Sequence, residues 1–196
     1  MGQYWYPVNL DKKEYIMPHK LGAGLKLWEQ LANHPGTGAA LIILCAAMPE
    51  ERGGGDLSLD WHDDEELTEE AKKTCGVNYA AVARRTIGRW AGDRIALVGD
   101  YAEKGDLPPE FDADLIYDLC ATTKERQEQV TYLKQRAEEV RQAGDPHGSA
   151  TVLDNKADHL AKAKLYRDIT DDVCQVIEHE LGGKFEGDDW RHWKEG

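Results

Sequence analysis

The ten residues Ala39–Met48, AALIILCAAM, are the longest apolar run in the chain. A membrane-spanning helix needs about twenty such residues, so this run reads as a helix inside a domain. Apolar on every side, it requires apolar cover all round and belongs at the centre of the fold. Pro49 ends it, and Thr37, in the loop His34–Gly38 (HPGTG), is placed to cap its start. That loop also has the make-up of an anion cradle, because free amides at a helix start attract phosphate. It lacks the G-K-[ST] of a nucleotide-binding loop, and capping accounts for it equally well.

The rest of the chain supplies that cover. Residues 3–18 are rich in aromatic and β-favouring side chains and read as a β-hairpin with its turn at Asp11–Glu14. Pro7 and Pro18 each lack a backbone donor, which places at least one hairpin strand at an edge. Leu25, Leu27, Trp28 and Leu31 repeat at helical spacing and predict a short helix. Residues 49–70 are Gly-rich and then acidic, a surface connection. Tyr79–Arg89 predicts a helix burying Ala80, Val82, Ala83 and Ile87, followed by a strand at Arg94–Val98.

Residues 112–123 fit helix or strand. Residues 123–144 predict a helix, with Val130, Leu133, Ala137 and Val140 in one stripe and Gly144 as its stop. Helices are expected at 152–166 and from Thr170, where Asp171 and Asp172 suit a helix start and Val173, Val176, Ile177 and Leu181 share a face. The expected class is α+β: an N-terminal β-hairpin plus a small sheet around a buried helix, with a helical C-terminal third. It is read as a single domain, 1–196, within which 119–196 could form a helical subdomain.

A net charge of −13 argues against direct binding to nucleic acid or an anionic membrane and suits a basic macromolecular partner. The four cysteines, at 45, 75, 120 and 174, show no C-x-x-C pair, so zinc-ribbon and thioredoxin-like chemistry have no support. No secretory signal is visible, and the chain is expected in the cytoplasm with its thiols reduced.

The stretch Arg89–Tyr101, RWAGDRIALVGDY, brackets a strand with two Gly-Asp pairs. Fully extended, Asp93 and Asp100 lie roughly 23 Å apart at about 3.3 Å per residue. Carboxylates sharing one acid/base task sit within about 5–10 Å, so they are no catalytic pair. Asp93 reads as a turn residue able to close an Asx-type bond. Asp100 lies just past a strand end, where sites of α/β type place polar groups. It therefore heads a candidate ligand site with Tyr101 and His19, against the plainer reading as a turn. His19 could act as a base or metal ligand, or be an ordinary surface side chain. The run Asp56–Glu66 does not follow the order of a calcium loop and reads as solvated. No metal site and no cofactor are implied. At the C-terminus, Trp190, Arg191 and Trp193 are candidate partner-binding residues, since Trp and Arg anchor interfaces; the alternative is that Phe185 and Trp190 dock the tail.

The segments VNLDKKEYIMPHKLGAGLKLWE, RWAGDRIALVGDY and YRDITDDVCQVIEHELGGKFEGDDW resemble a family of small uncharacterised bacterial and bacteriophage proteins. The resemblance implies bacterial or phage origin and carries over no reaction or site residue. The expected function is that of an accessory protein binding a host protein or other macromolecule through an acidic and aromatic surface. The alternative is a small-molecule-binding protein or enzyme with its site near the end of strand 94–98.

Overall fold

A computed structural model describes residues 3–32, 35–47, 79–145 and 147–181. The first strands are β1 (Trp5–Asn9) and β2 (Glu14–Tyr15), followed by a 3-10 turn at Pro18–Leu21. Helices α1 (Leu27–Ala32), α2 (Gly36–Cys45) and α3 (Tyr79–Thr86) precede β3 (Ile95–Gly99). Then come α4 (Ala113–Leu119), α5 (Thr123–Gln142), α6 (Ser149–Lys162), β4 (Arg167–Asp168) and α7 (Thr170–Leu181). The four strands form one mixed sheet in the order β3-β1-β2-β4, with β1 antiparallel to β2 and β3, and β2 parallel to β4. The class is α+β, with N-terminal strands and a helical C-terminal region.

The hairpin forms where the sequence places it, with a return strand of two residues. Its turn is tied by Asn9 Oδ1, which accepts from Lys12 N at 2.8 Å, and Lys13 adopts φ 55°. Both hairpin strands are interior, against the expectation from Pro7. The register explains it. Backbone groups in an antiparallel strand face alternate neighbours, and Pro7 O accepts from Ile16 N at 3.2 Å on the β2 side. The missing Pro7 donor therefore falls where β2 has just ended and no ladder continues. The sheet also gains β4, a two-residue strand that the sequence pattern does not reveal.

Side-chain alternation across the sheet divides the interior into two apolar clusters. Tyr15 and Ile16, neighbours in the chain, belong to different ones. One cluster joins Ile16 and Trp90 to α2, α3 and α7; the other joins Val8, Tyr15 and Val98 to α4, α5 and α6. The C-terminal helices thus share cores with the N-terminal strands. Segment 112–123 resolves as helix α4, with Ala113, Leu115, Ile116 and Leu119 buried at helical spacing. In α5, Leu133 and Ala137 are buried and Val130 and Val140 flank them half-buried. Its start carries a reciprocal Thr122–Glu125 capping box.

Helix α2 departs from expectation at both ends and in its burial; it stops at Cys45, short of Pro49. It begins three residues early, at Gly36, so Thr37 is its second residue and not its cap. Its burial is also one-sided: Ala40, Ile43 and Leu44 are inside, while Ile42 is 71% exposed. The apolar run gives this helix no polar face to offer the solvent, so what it turns outward is apolar.

Candidate functional site

Both Gly-Asp pairs around β3 fasten that strand to the hairpin. Asp93 Oδ2 accepts from Asn9 Nδ2 at 2.7 Å and from the Lys12 ammonium, and those bonds hold its carboxyl below the usual range. Its side chain reaches across the sheet instead of closing a local Asx turn; the turn itself closes through Asp93 N to Trp90 O at 3.1 Å. Next door, Arg94 donates to Asp11 and Glu110 and lies 4.6 Å from the centre of the Phe111 ring. At the far end, Asp100 Oδ1 accepts from Tyr4 N and Asp100 N donates to Tyr4 O, both at 3.1 Å. Tyr101 is 60% exposed, and His19 sits half-buried in the 3-10 turn. Among the described residues no hydrogen bond, ion pair or ring contact joins Asp100, Tyr101 and His19.

A second polar cluster surrounds Glu14, a β2 residue 4% exposed. Arg89 grips its carboxylate through Nε at 2.7 Å and Nη2 at 2.5 Å, and Trp90 Nε1 donates at 3.1 Å. Arg167, opposite it on β4, approaches to 3.4 Å. Burial works against the charge, but the hydrogen bonds and the two guanidiniums outweigh it and hold the carboxyl below the ordinary range. Beside it lies an open cleft of about 440 Å³ lined by Arg85, Arg89, Arg167, Asp168, Asp171 and Asp172. The cations there are paired: Arg89 and Arg167 share Glu14, Arg85 bonds Asp172 at 2.6 Å, and the neighbouring Lys20 bonds Asp168 and Asp171 at 3.0 and 3.1 Å. The cluster closes on itself and ties the sheet to α3 and α7.

A smaller cavity of about 170 Å³ is lined by Tyr6, Met17, Tyr117, Asp118, Cys120, Ala121, Glu125 and Gln129. Tyr6 and Tyr117 stack with ring centres 4.8 Å apart. Burial pushes both phenols and the Cys120 thiol upward, so all three stay protonated at neutral pH and none is a ready nucleophile. Asp118 pairs with Lys156 at 2.8 Å, and Glu125 is held by its cap. Among the described residues, no group of three or more His, Cys, Asp or Glu side chains could hold a metal ion. No helix there is long and apolar enough to cross a membrane.

Among the described residues, α1 and α2 also carry exposed apolar side chains. In α1, Trp28 is 77% and Leu31 67% exposed, while Gln30 is buried at 3%. The helix is rolled this way because Gln30 Nε2 donates to Trp5 O at 2.8 Å and Leu25 O at 3.0 Å, meeting carbonyls at the entrance to β1. Ile42 on α2, the helix against which α1 packs, is exposed as well. The sequence shows Trp28 and Leu31 at helical spacing, which reads as an inward stripe; the carbonyls that draw Gln30 inward are invisible to a periodicity argument. Trp190, Arg191 and Trp193 lie outside the described residues. Comparison with protein-family models, curated proteins and solved structures finds no match to this chain.

Proposed function

We propose that this protein acts by binding another macromolecule, and that α1 and α2 present the contact surface. The observation that carries this reading is the pairing of exposed Trp28 and Leu31 with buried Gln30 on one short helix. Large side chains turned outward from a helix anchored by its polar residue are available for an interface without loss of the fold. The polar clusters around Glu14 and at the ends of β3 are satisfied among the described residues, so they offer a partner less than this face does. With a net charge of −13, the suited partner is a protein with an apolar cleft and a basic rim. In the bacterial or phage setting that the family resemblance implies, that partner is a host protein.

Native mass spectrometry of the protein purified gently from its own kind of cell tests the reading. The expected result is added mass of kilodaltons on the wild type, lost in a Trp28→Ala/Leu31→Ala variant whose melting temperature is unchanged. Bare wild-type protein, or a double variant that keeps its partner, overturns the assignment. Added mass of a few hundred daltons would instead favour a small-molecule function.

A further inference from the structure

We propose that the N-terminus of α2 binds a phosphate-type oxyanion. The segment Pro35–Gly38 opens this helix with a proline at the cap position, which offers no side-chain acceptor. The first helical bond is Ala39 N to Pro35 O at 3.0 Å. Among the described residues, the N–H groups of Gly36, Thr37 and Gly38 make no hydrogen bond. Gly36 has φ 42°, in the left-handed region open to glycine, directly after the right-handed Pro35 at φ −75° and ψ −32°. Such alternation turns successive amides toward one point and forms an anion-binding concavity. The helix dipole adds partial positive charge at the same place.

A separate observation points to a ligand. Thr37 is only 3% exposed, and its hydroxyl has no hydrogen-bond partner. Most buried hydroxyls in folded proteins are bonded; among the described residues Thr86, the last residue of α3, carries the other unpartnered one, and it lies away from any helix start. Because helical Cα–Cβ bonds tilt toward the N-terminus, this hydroxyl lies at the end of the helix where the free amides are. There is also room: a Cβ built on Gly38 would meet nothing within 4 Å. Two other helix starts show what fills such a place. In α5 the Glu125 carboxylate takes the Thr122 N–H at 2.7 Å, and in α6 the Asp145 carboxylate takes Ser149 N and Ala150 N at 2.8 Å each. Helix α2 has the donors and, among the described residues, no carboxylate bonded to them. An external oxyanion would accept from the amides and from Thr37 together. The site is distinct from the apolar contact surface, although Gly38 and exposed Ile42 are one helical turn apart.

The test is a titration of the full chain with inorganic phosphate at constant ionic strength, followed by amide NMR and melting temperature. Saturable shifts of the Gly36, Thr37 and Gly38 amides, with a rise in melting temperature, are expected. Thr37→Val removes an unpartnered hydroxyl, so it should melt no lower than wild type without phosphate and bind phosphate about tenfold more weakly. Gly38→Asp supplies a carboxylate in the open space and should abolish the phosphate response while the fold is retained. The proposal falls if these amides show no saturable shift, as a site holding only water would. It falls equally if chloride gives the same response, or if Thr37→Val binds phosphate like the wild type.

Discussion

Glu14 and Trp28 invert the hydrophobic rule in opposite directions. Glu14 is a charge taken inside, and the chain provides it with a bidentate arginine, an indole N–H and a second guanidinium. Trp28 is a large aromatic side chain left outside, 77% exposed. The solvent-facing side of α5 shows that the chain builds ordinary polar surface elsewhere, through pairs such as Lys124–Glu128 and Arg136–Glu139. A buried charge whose acceptors are all used serves stability. An exposed aromatic with most of its surface open to solvent is what the proposed encounter would use.

That contrast can be broken experimentally, and the largest effect is expected at Glu14. Arg89→Met leaves the carboxylate buried without its main partner and should cost about 3–5 kcal/mol in urea unfolding. A loss below about 1 kcal/mol would mean that water reaches Glu14 and the contrast is false. Glu14 also sets a pH dependence. Its carboxyl is held below the ordinary value in the folded chain, so it contributes stability above the unfolded pKa of about 4.3 and loses it as pH falls through the folded value. Glu14→Gln should therefore flatten the acid limb of a melting-temperature profile below about pH 4.3; an unchanged limb would place the acid sensitivity in other carboxylates.

The same comparison is sharpened at α1. Gln30→Leu removes the donor to Trp5 O and Leu25 O and should destabilise by about 1–3 kcal/mol, despite adding apolar surface. Stabilisation instead would show that the roll of α1 is not set by those carbonyls. The smallest effect belongs to Trp28→Ala/Leu31→Ala, expected within about 0.5 kcal/mol of wild type by urea unfolding. A loss of several kcal/mol would make Trp28 a packing residue after all and remove the basis of the proposed interface.

The sites separate in the same way. That Asp93 and Asp100 do not share one acid/base task is legible because seven extended residues keep them far apart, and that spacing is a property of the backbone alone. Their partners, Asn9 and Lys12 for one and Tyr4 for the other, come from the neighbouring strand β1 and its flanks, next to β3 in the sheet but far from it in sequence. Sequence reasoning cannot find partners 81 to 96 residues away without the register. The Glu14 network was missed for the same reason: Arg89, Trp90 and Arg167 meet it only once β1 pairs with β2 and β2 with β4.

Local pattern by itself determined the α+β class, the hairpin, and the long α5 with its stripe of Leu133 and Ala137, because helix periodicity and turn chemistry act within a few residues. The interior place of β1 despite Pro7, the existence of β4 and the outward turn of Trp28, Leu31 and Ile42 were decided only by the tertiary structure. Each depends on distant backbone groups: Pro7 lies where a ladder ends, and Gln30 goes inward where its amide reaches Trp5 O and Leu25 O. Hydrogen bonds to distant backbone carbonyls, made by the Gln30 Nε2 group alone, overrode local periodicity and left an apolar face exposed.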